Sequence, residues 1–197
     1  MATGADSVAL TVSSVSAGQR LVATATDANS NTSEFSASFV IVSAQQAPGV
    51  AEGGASQAET LDTAALTPLV WQAIAAWESA GLDAARVATL QSVWFEIADL
   101  PGSYLGWATP DRIVVDIDAA GYGWYVDGDS SSGSPLSALD SRFSMDLLTA
   151  VMHEMGHVLG LADQNDKDEL MGGVLQPGTS HLPTTADVDR ILAGSDW

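Results

Sequence analysis

Residues 153 to 163 read His-Glu-Met-Gly-His-Val-Leu-Gly-Leu-Ala-Asp, and their types and spacing could assemble a metal site around a carboxylate. His153 and His157 stand four apart, so on a helix both imidazoles leave one face about one turn apart and can hold a single ion. Glu154 lies beside the first. A carboxylate there can take a proton from a metal-bound water and hand it to a leaving amine, which is the chemistry of peptide-bond hydrolysis. Gly160 tolerates positive φ, so it can end the helix after Leu159 and turn the chain back toward the ion, within reach of Asp163. Two imidazoles and one carboxylate match the ligand count of catalytic Zn²⁺, which keeps a fourth position for water.

A plainer alternative stands beside this reading, because an amphipathic helix can carry two His and a Glu on a solvated face. Gly160, Asp163 and Met171 at their spacing weigh against it. Taken alone, Met171 reads as core filler, since Met packs irregular gaps. His181, the remaining histidine, follows Pro177-Gly178 and reads as an exposed side chain or a substrate-side contact rather than a ligand. Asp166 and Asp168 are near but lie off the turn spacing.

The pattern HExxHxxGxxD, with Met171 eight residues after Asp163, resembles the metzincin clan, and the spacing to Met171 is similar to that of its matrixin branch. Matrixins usually carry His where this chain has Asp163, and in that respect it resembles the snapalysins, bacterial proteases with an aspartate third ligand. An anionic ligand lowers the net charge of the site and should make zinc a somewhat weaker Lewis acid. Gly172 and Gly173 follow Met171, so the tyrosine ligand of astacins and serralysins is not implied. The resemblance implies an α+β, metzincin-like zincin domain: a mixed twisted sheet, an active-site helix, a methionine turn at Met171 and a C-terminal helix. It implies Zn²⁺ on His153, His157 and Asp163, with Glu154 as general base. It also implies a protein or peptide substrate lying extended along a sheet edge as an added strand. The stretch from Asp116 to Asp127 is similar to matrixin-like modules inside long bacterial surface proteins, which implies an extracellular or cell-surface location.

Local patterns supply the elements that must position these residues. Thr67-Pro68 reads as an N-cap and first-turn proline, and Leu69, Val70, Ala73, Ile74 and Trp77 form an apolar helical stripe ending at Gly81. Asp83 caps a short helix to about Leu90; 93–98 and 112–118 alternate as strands, with a shorter candidate at 104–108. Ser144 is expected to cap the metal-bearing helix from Met145 to Leu159, which is apolar nearly all round and therefore buried. Thr185 caps a last helix through Val188, Ile191 and Leu192. Adjacent Trp94 and Phe95 point to opposite faces of a strand, and Trp107 and Trp124 read as core or cleft lining.

Upstream, segments 7–12, 19–26 and 34–42 read as three strands, too few for a sandwich, so 1–44 is expected to be a partial immunoglobulin-like β-repeat. Residues 45–60 are small and polar and read as a flexible linker, leaving 61–197 as the catalytic domain, tethered within a larger multidomain chain. Two loops could hold structural Ca²⁺ or simply be solvated turns: Asp27, Asn29 and Asn31, and the Gly-rich stretch bracketed by Asp116, Asp118, Asp127 and Asp129.

Composition bounds the function. Six basic residues against 25 acidic ones give a net charge of −19, which excludes the basic surface that nucleic-acid phosphates require. At 46% hydrophobic with no run of 18 apolar residues, the 197-residue chain can bury a sizeable core without membrane insertion. There is no cysteine, hence no disulfide framework, and no basic start with an apolar stretch that would mark a signal peptide. Two functions follow: a zinc endopeptidase, or a non-catalytic or self-processing zinc module of a bacterial surface adhesin. An intact Glu154 favours the first.

Overall fold

The computed structural model describes residues 20–21, 39–40, 44–51, 60–126, 143–166 and 168–194. The chain divides into two units, Met1–Ile41 and Val42–Trp197. In the first, β1 (Arg20–Leu21) pairs antiparallel with β2 (Phe39–Val40). The remainder of the expected immunoglobulin-like segment, with the Asp27, Asn29 and Asn31 cluster, lies outside the described residues.

The second unit is mixed α+β. It begins with α1 (Thr63–Ser79), well ahead of the start that Thr67-Pro68 suggests. Asp62 is the N-cap, its carboxylate accepting from the Ala65 amide at 2.8 Å. Burial of Leu66 and Leu69 extends the apolar stripe N-terminally, so Pro68 sits inside the helix. Asp83 caps α2 (Ala84–Gln91) as its sequence position suggests, accepting from the Ala85 and Arg86 amides. Three strands follow: β3 (Trp94–Ala98), β4 (Gly106–Thr109) and β5 (Arg112–Asp116). They form a mixed sheet in the order β3-β5-β4, with β3 parallel and β4 antiparallel to β5. Strand β4 is thus an edge.

Trp94 is 70% exposed while its neighbour Phe95 packs on the core, the opposition expected of adjacent strand residues. Trp124 is buried, and its indole donates to the Asp116 carbonyl. Trp107 is half-buried under the Arg112 guanidinium. The Asp116 carboxylate accepts from the amides of Leu100, Asp118 and Ala120, and that of Asp118 accepts from Gly121. These bonds hold a turn in which Ala119 and Ala120 both adopt positive φ. Both carboxylates therefore shape backbone. Asp127 and Asp129 lie outside the described residues.

Short strand β6 (Trp124–Tyr125) pairs in parallel with β7 (Met145–Asp146), and α3 (Leu147–Val158) follows directly. Its N-cap is Asp146, accepting from the Thr149 amide at 2.7 Å, rather than Ser144. A carboxylate two residues nearer the apolar run competes better for the orphan amides once Met145 is drawn into the β-pair. Helix α4 (Thr185–Ala193) takes Thr185 into its first turn, and the cap is Thr184 instead, in a reciprocal box with Asp187. Among the described residues no helix is long and apolar enough to cross a membrane.

The first residues of the stretch expected to be a linker behave differently. Residues 45–47 are threaded between two segments of the second unit. The Leu105 amide donates to the Gln45 carbonyl and the Ala47 amide to the Ser103 carbonyl; on the other side Gln46 donates to Gly173 and accepts from Leu175. Gln46 thereby bridges antiparallel to Tyr104 and parallel to Val174. Their polar composition reads as linker, but main-chain pairing is independent of side-chain type. Residues 52–59 lie outside the described residues.

Helix α3 packs against both α1 and the strands β4 and β5. Trp77 of α1 is fully buried, and its indole donates to the Met152 carbonyl at 3.2 Å. Replacing Trp77 by Ala is expected to cost about 3–5 kcal/mol of unfolding free energy in urea titrations. The indole hydrogen bond itself should account for only about 1 kcal/mol of that loss.

Candidate metal centre

The site is built on the last turns of α3. Four residues apart, His153 and His157 stack edge to face with ring centroids 4.6 Å apart. The Nδ1 of His153 lies 2.8 Å from the Leu170 carbonyl and that of His157 lies 2.9 Å from the Leu161 carbonyl. Each carbonyl holds the proton on Nδ1 and leaves Nε2 with a lone pair, the tautomer a metal ligand needs. Both Nε2 atoms are buried, and among the described residues neither has an aligned hydrogen bond.

Past the helix the chain folds back through a Schellman turn. Gly160, at φ +94°, donates to the His157 carbonyl, and Leu161 donates to that of Gly156. The reversal carries Asp163 over the imidazoles, and its Oδ1 lies 3.2 Å from both Nε2 atoms. Two nitrogens aimed at one oxygen without hydrogen-bond alignment are arranged as donors around a shared centre. Ligand atoms about 2 Å from a tetrahedral zinc stand roughly 3.3 Å apart, so the donor set fits such an ion in type and spacing. His153, Glu154 and His157 also offer atoms within 4.8 Å of one another. Of the two carboxylates, Asp163 is the one with an oxygen equidistant from both imidazoles.

Glu154 is fully buried; its Oε1 accepts from the Gln45 amide at 3.1 Å, and its Oε2 has no partner among the described residues. Burial raises its pKa, against the pull of the two imidazoles. Burial pushes His157 down, but the Asp163 and Glu154 carboxylates outweigh it and raise its pKa in the metal-free site. Burial likewise pushes Asp163 up, and the two imidazoles overcome it, holding the carboxyl far below its usual range.

Met171 is fully buried beneath α3. A Cβ on Gly156 would stand 2.4 Å from the Met171 sulfur, so only glycine lets the turn pack this close. Gly106 plays the matching part on the sheet, where a Cβ would meet Glu154 Cγ at 3.0 Å and Oε1 at 3.2 Å. Sequence reading passes over both glycines; the signal for Gly156 was a helix-weakening residue inside an apolar helix. The turn at Met171 is joined to the loop carrying Asp163 by the bond from the Gln164 amide to the Met171 carbonyl, and to α4 by Arg190, which pairs with Glu169 at 3.6 Å and with Asp187. His181 is outside the cluster; its backbone is tied to Thr149, and Asp166 accepts from the Asp168 amide.

The sequence model of the matrixin family matches residues 55–193, from ahead of α1 to the end of α4. The chain belongs to the matrixin family. As a matrixin it is a zinc metallopeptidase, and the buried histidines of α3 are residues able to hold the metal. No curated protein and no solved structure matches this matrixin.

Two outcomes test the site. Gly156→Ala should cost about 1–3 kcal/mol in urea denaturation, and combining it with Met171→Ala should cost less than the sum of the two, because the clash needs both partners. In the zinc-free protein, the raised pKa of His157 gives stability that is fully present below its ordinary 6.5 and lost as pH rises through the folded value. The lowered pKa of Asp163 gives stability present above its ordinary 3.8 and lost as pH falls through the folded value. Denaturation midpoints measured across pH should therefore show the largest contribution from this pair between those two ordinary values, and Asp163→Asn should flatten the profile.

Proposed function

We propose that this matrixin is an endopeptidase in which His153, His157 and Asp163 hold Zn²⁺ and Glu154 is the general base. The observation that carries the reading is the convergence of both Nε2 atoms on Asp163 Oδ1 at 3.2 Å, with the Glu154 carboxylate buried alongside. Bound there, zinc supplies the Lewis acidity that polarises a peptide carbonyl and makes water acidic enough to deprotonate.

The rest is the work of the chain. Leu170 and Leu161 orient the imidazoles. Glu154, in a site where burial favours its neutral form, is suited to accept a proton from the attacking water and return it to the leaving nitrogen. The edge of β4 with the preceding residues 103–105, facing the segment 173–175, offers main-chain donors and acceptors on both sides of an extended peptide. The anionic Asp163 moderates the positive charge of the centre compared with three imidazoles.

Glu154→Gln is expected to retain about one zinc per chain by elemental analysis while cleavage of a peptide library falls by roughly 10²-fold or more. Asp163→Ala should lose the metal or bind it far more weakly. A Glu154→Gln protein that cleaves at the wild-type rate rules out this assignment of the base.

A further inference from the structure

The segment between the two walls of the cleft lies as a substrate would lie. The Gln45 amide donates to Glu154 Oε1 at 3.1 Å, and four main-chain hydrogen bonds fasten the segment to the walls: Gln45 accepts from Leu105 at 2.8 Å, Gln46 donates to Gly173 at 3.0 Å and accepts from Leu175 at 2.9 Å, and Ala47 donates to Ser103 at 2.8 Å. These bonds alternate between the walls and read no side chain, which is how a peptide added to a sheet edge is held. The Gln45 side chain is 1% exposed, yet its Oε1 finds no partner among the described residues. A buried amide oxygen without a partner costs free energy, so a residue fixed there for packing alone would be expected to be apolar. It is the main-chain ladder, and not a pocket fitted to glutamine, that keeps the segment in place.

The amide nitrogen on Glu154 belongs to the bond between Ala44 and Gln45. We infer that residues 45–47 are the enzyme's own substrate, docked within the same molecule, and that Ala44–Gln45 is the bond it hydrolyses. The inference rests on the peptidase reading above. Water is the co-reactant: its oxygen bonds to the Ala44 carbonyl carbon, the C–N bond breaks with its electron pair leaving on nitrogen, and Glu154 relays the water proton to the Gln45 nitrogen. The products are a carboxylate at Ala44 and an amino terminus at Gln45. Residues 1–44 are thereby separated from the matrixin domain, just past the boundary between the two units at Ile41.

The full chain, prepared with chelator as wild type and as Glu154→Gln, tests this. On adding zinc, intact mass and N-terminal sequencing should show the wild type converting to a species that begins at Gln45. The rate should be unchanged on about tenfold dilution, while Glu154→Gln stays whole. In chelated Glu154→Gln, amide hydrogen exchange at Gln46 and Ala47 should be slowed at least about tenfold relative to a free peptide of the same sequence. A zinc-loaded wild type that stays intact, or is cut elsewhere, while cleaving an added peptide overturns the self-substrate and leaves the peptidase reading standing. A zinc-loaded chain that cuts neither itself nor the added peptide overturns both. A rate that scales with concentration, or unprotected amides at Gln46 and Ala47, overturns docking within one molecule.

Discussion

Two imidazoles and a carboxylate are buried inside a helix whose other neighbours are Leu147, Val151, Met152 and Met155. Each unsatisfied polar atom there costs about 1–3 kcal/mol, and among the described residues both Nε2 atoms and Glu154 Oε2 are left that way. A bound cation offsets this cost by satisfying the nitrogens together, and the surrounding structure fits that role. Leu170 and Leu161 take the Nδ1 protons, so the lone pairs point inward. Gly160 ends the helix where Asp163 can be brought over them. Gly156 removes the one side chain that would hold Met171 off the helix.

The same centre requires an approach for substrate, and that requirement shapes the sheet. An edge strand with unpaired amides and carbonyls invites pairing. Here β4 is an edge, and the residues leading into it face the segment just after the methionine turn across a gap one strand wide. A gap of that kind, with Glu154 at one end, fits one strand of extended main chain. The chain fills it with its own residues 45–47, which links the architecture of the cleft to the proposed self-processing. Gly106 belongs to the same arrangement, since a side chain there would press on Glu154 and oblige it to shift.

Where local reading and structure part, competition between neighbouring signals explains the difference. Thr67-Pro68 has the form of a helix start, yet Asp62 is a stronger cap, and burial of Leu66 rewards the longer helix. Ser144 loses the cap of α3 to Asp146 because Met145–Asp146 is claimed by pairing with Trp124–Tyr125. Asp116 and Asp118 read in sequence as either cation ligands or a solvated turn; in the fold both carboxylates accept from backbone amides in a turn with two alanines at positive φ. No local pattern around 45–47 reports a strand, because its partners stand at 103–105 and 173–175.

The sequence by itself determined what depends on short separations. An i, i+4 pair of histidines on an apolar helix shares a face whatever the rest of the chain does, and a glycine after the last turn permits the reversal. Membership of the matrixin family is legible for the same reason, since its motif is compact. Only the tertiary structure decided that Asp163 Oδ1 stands equally far from both imidazoles, that Gly156 and Gly106 are sites of close approach, and that Gln45 presents its amide to Glu154. Those relations join residues distant in sequence, the last of them 109 positions apart. They are set by packing and main-chain pairing, which no periodicity of one segment encodes.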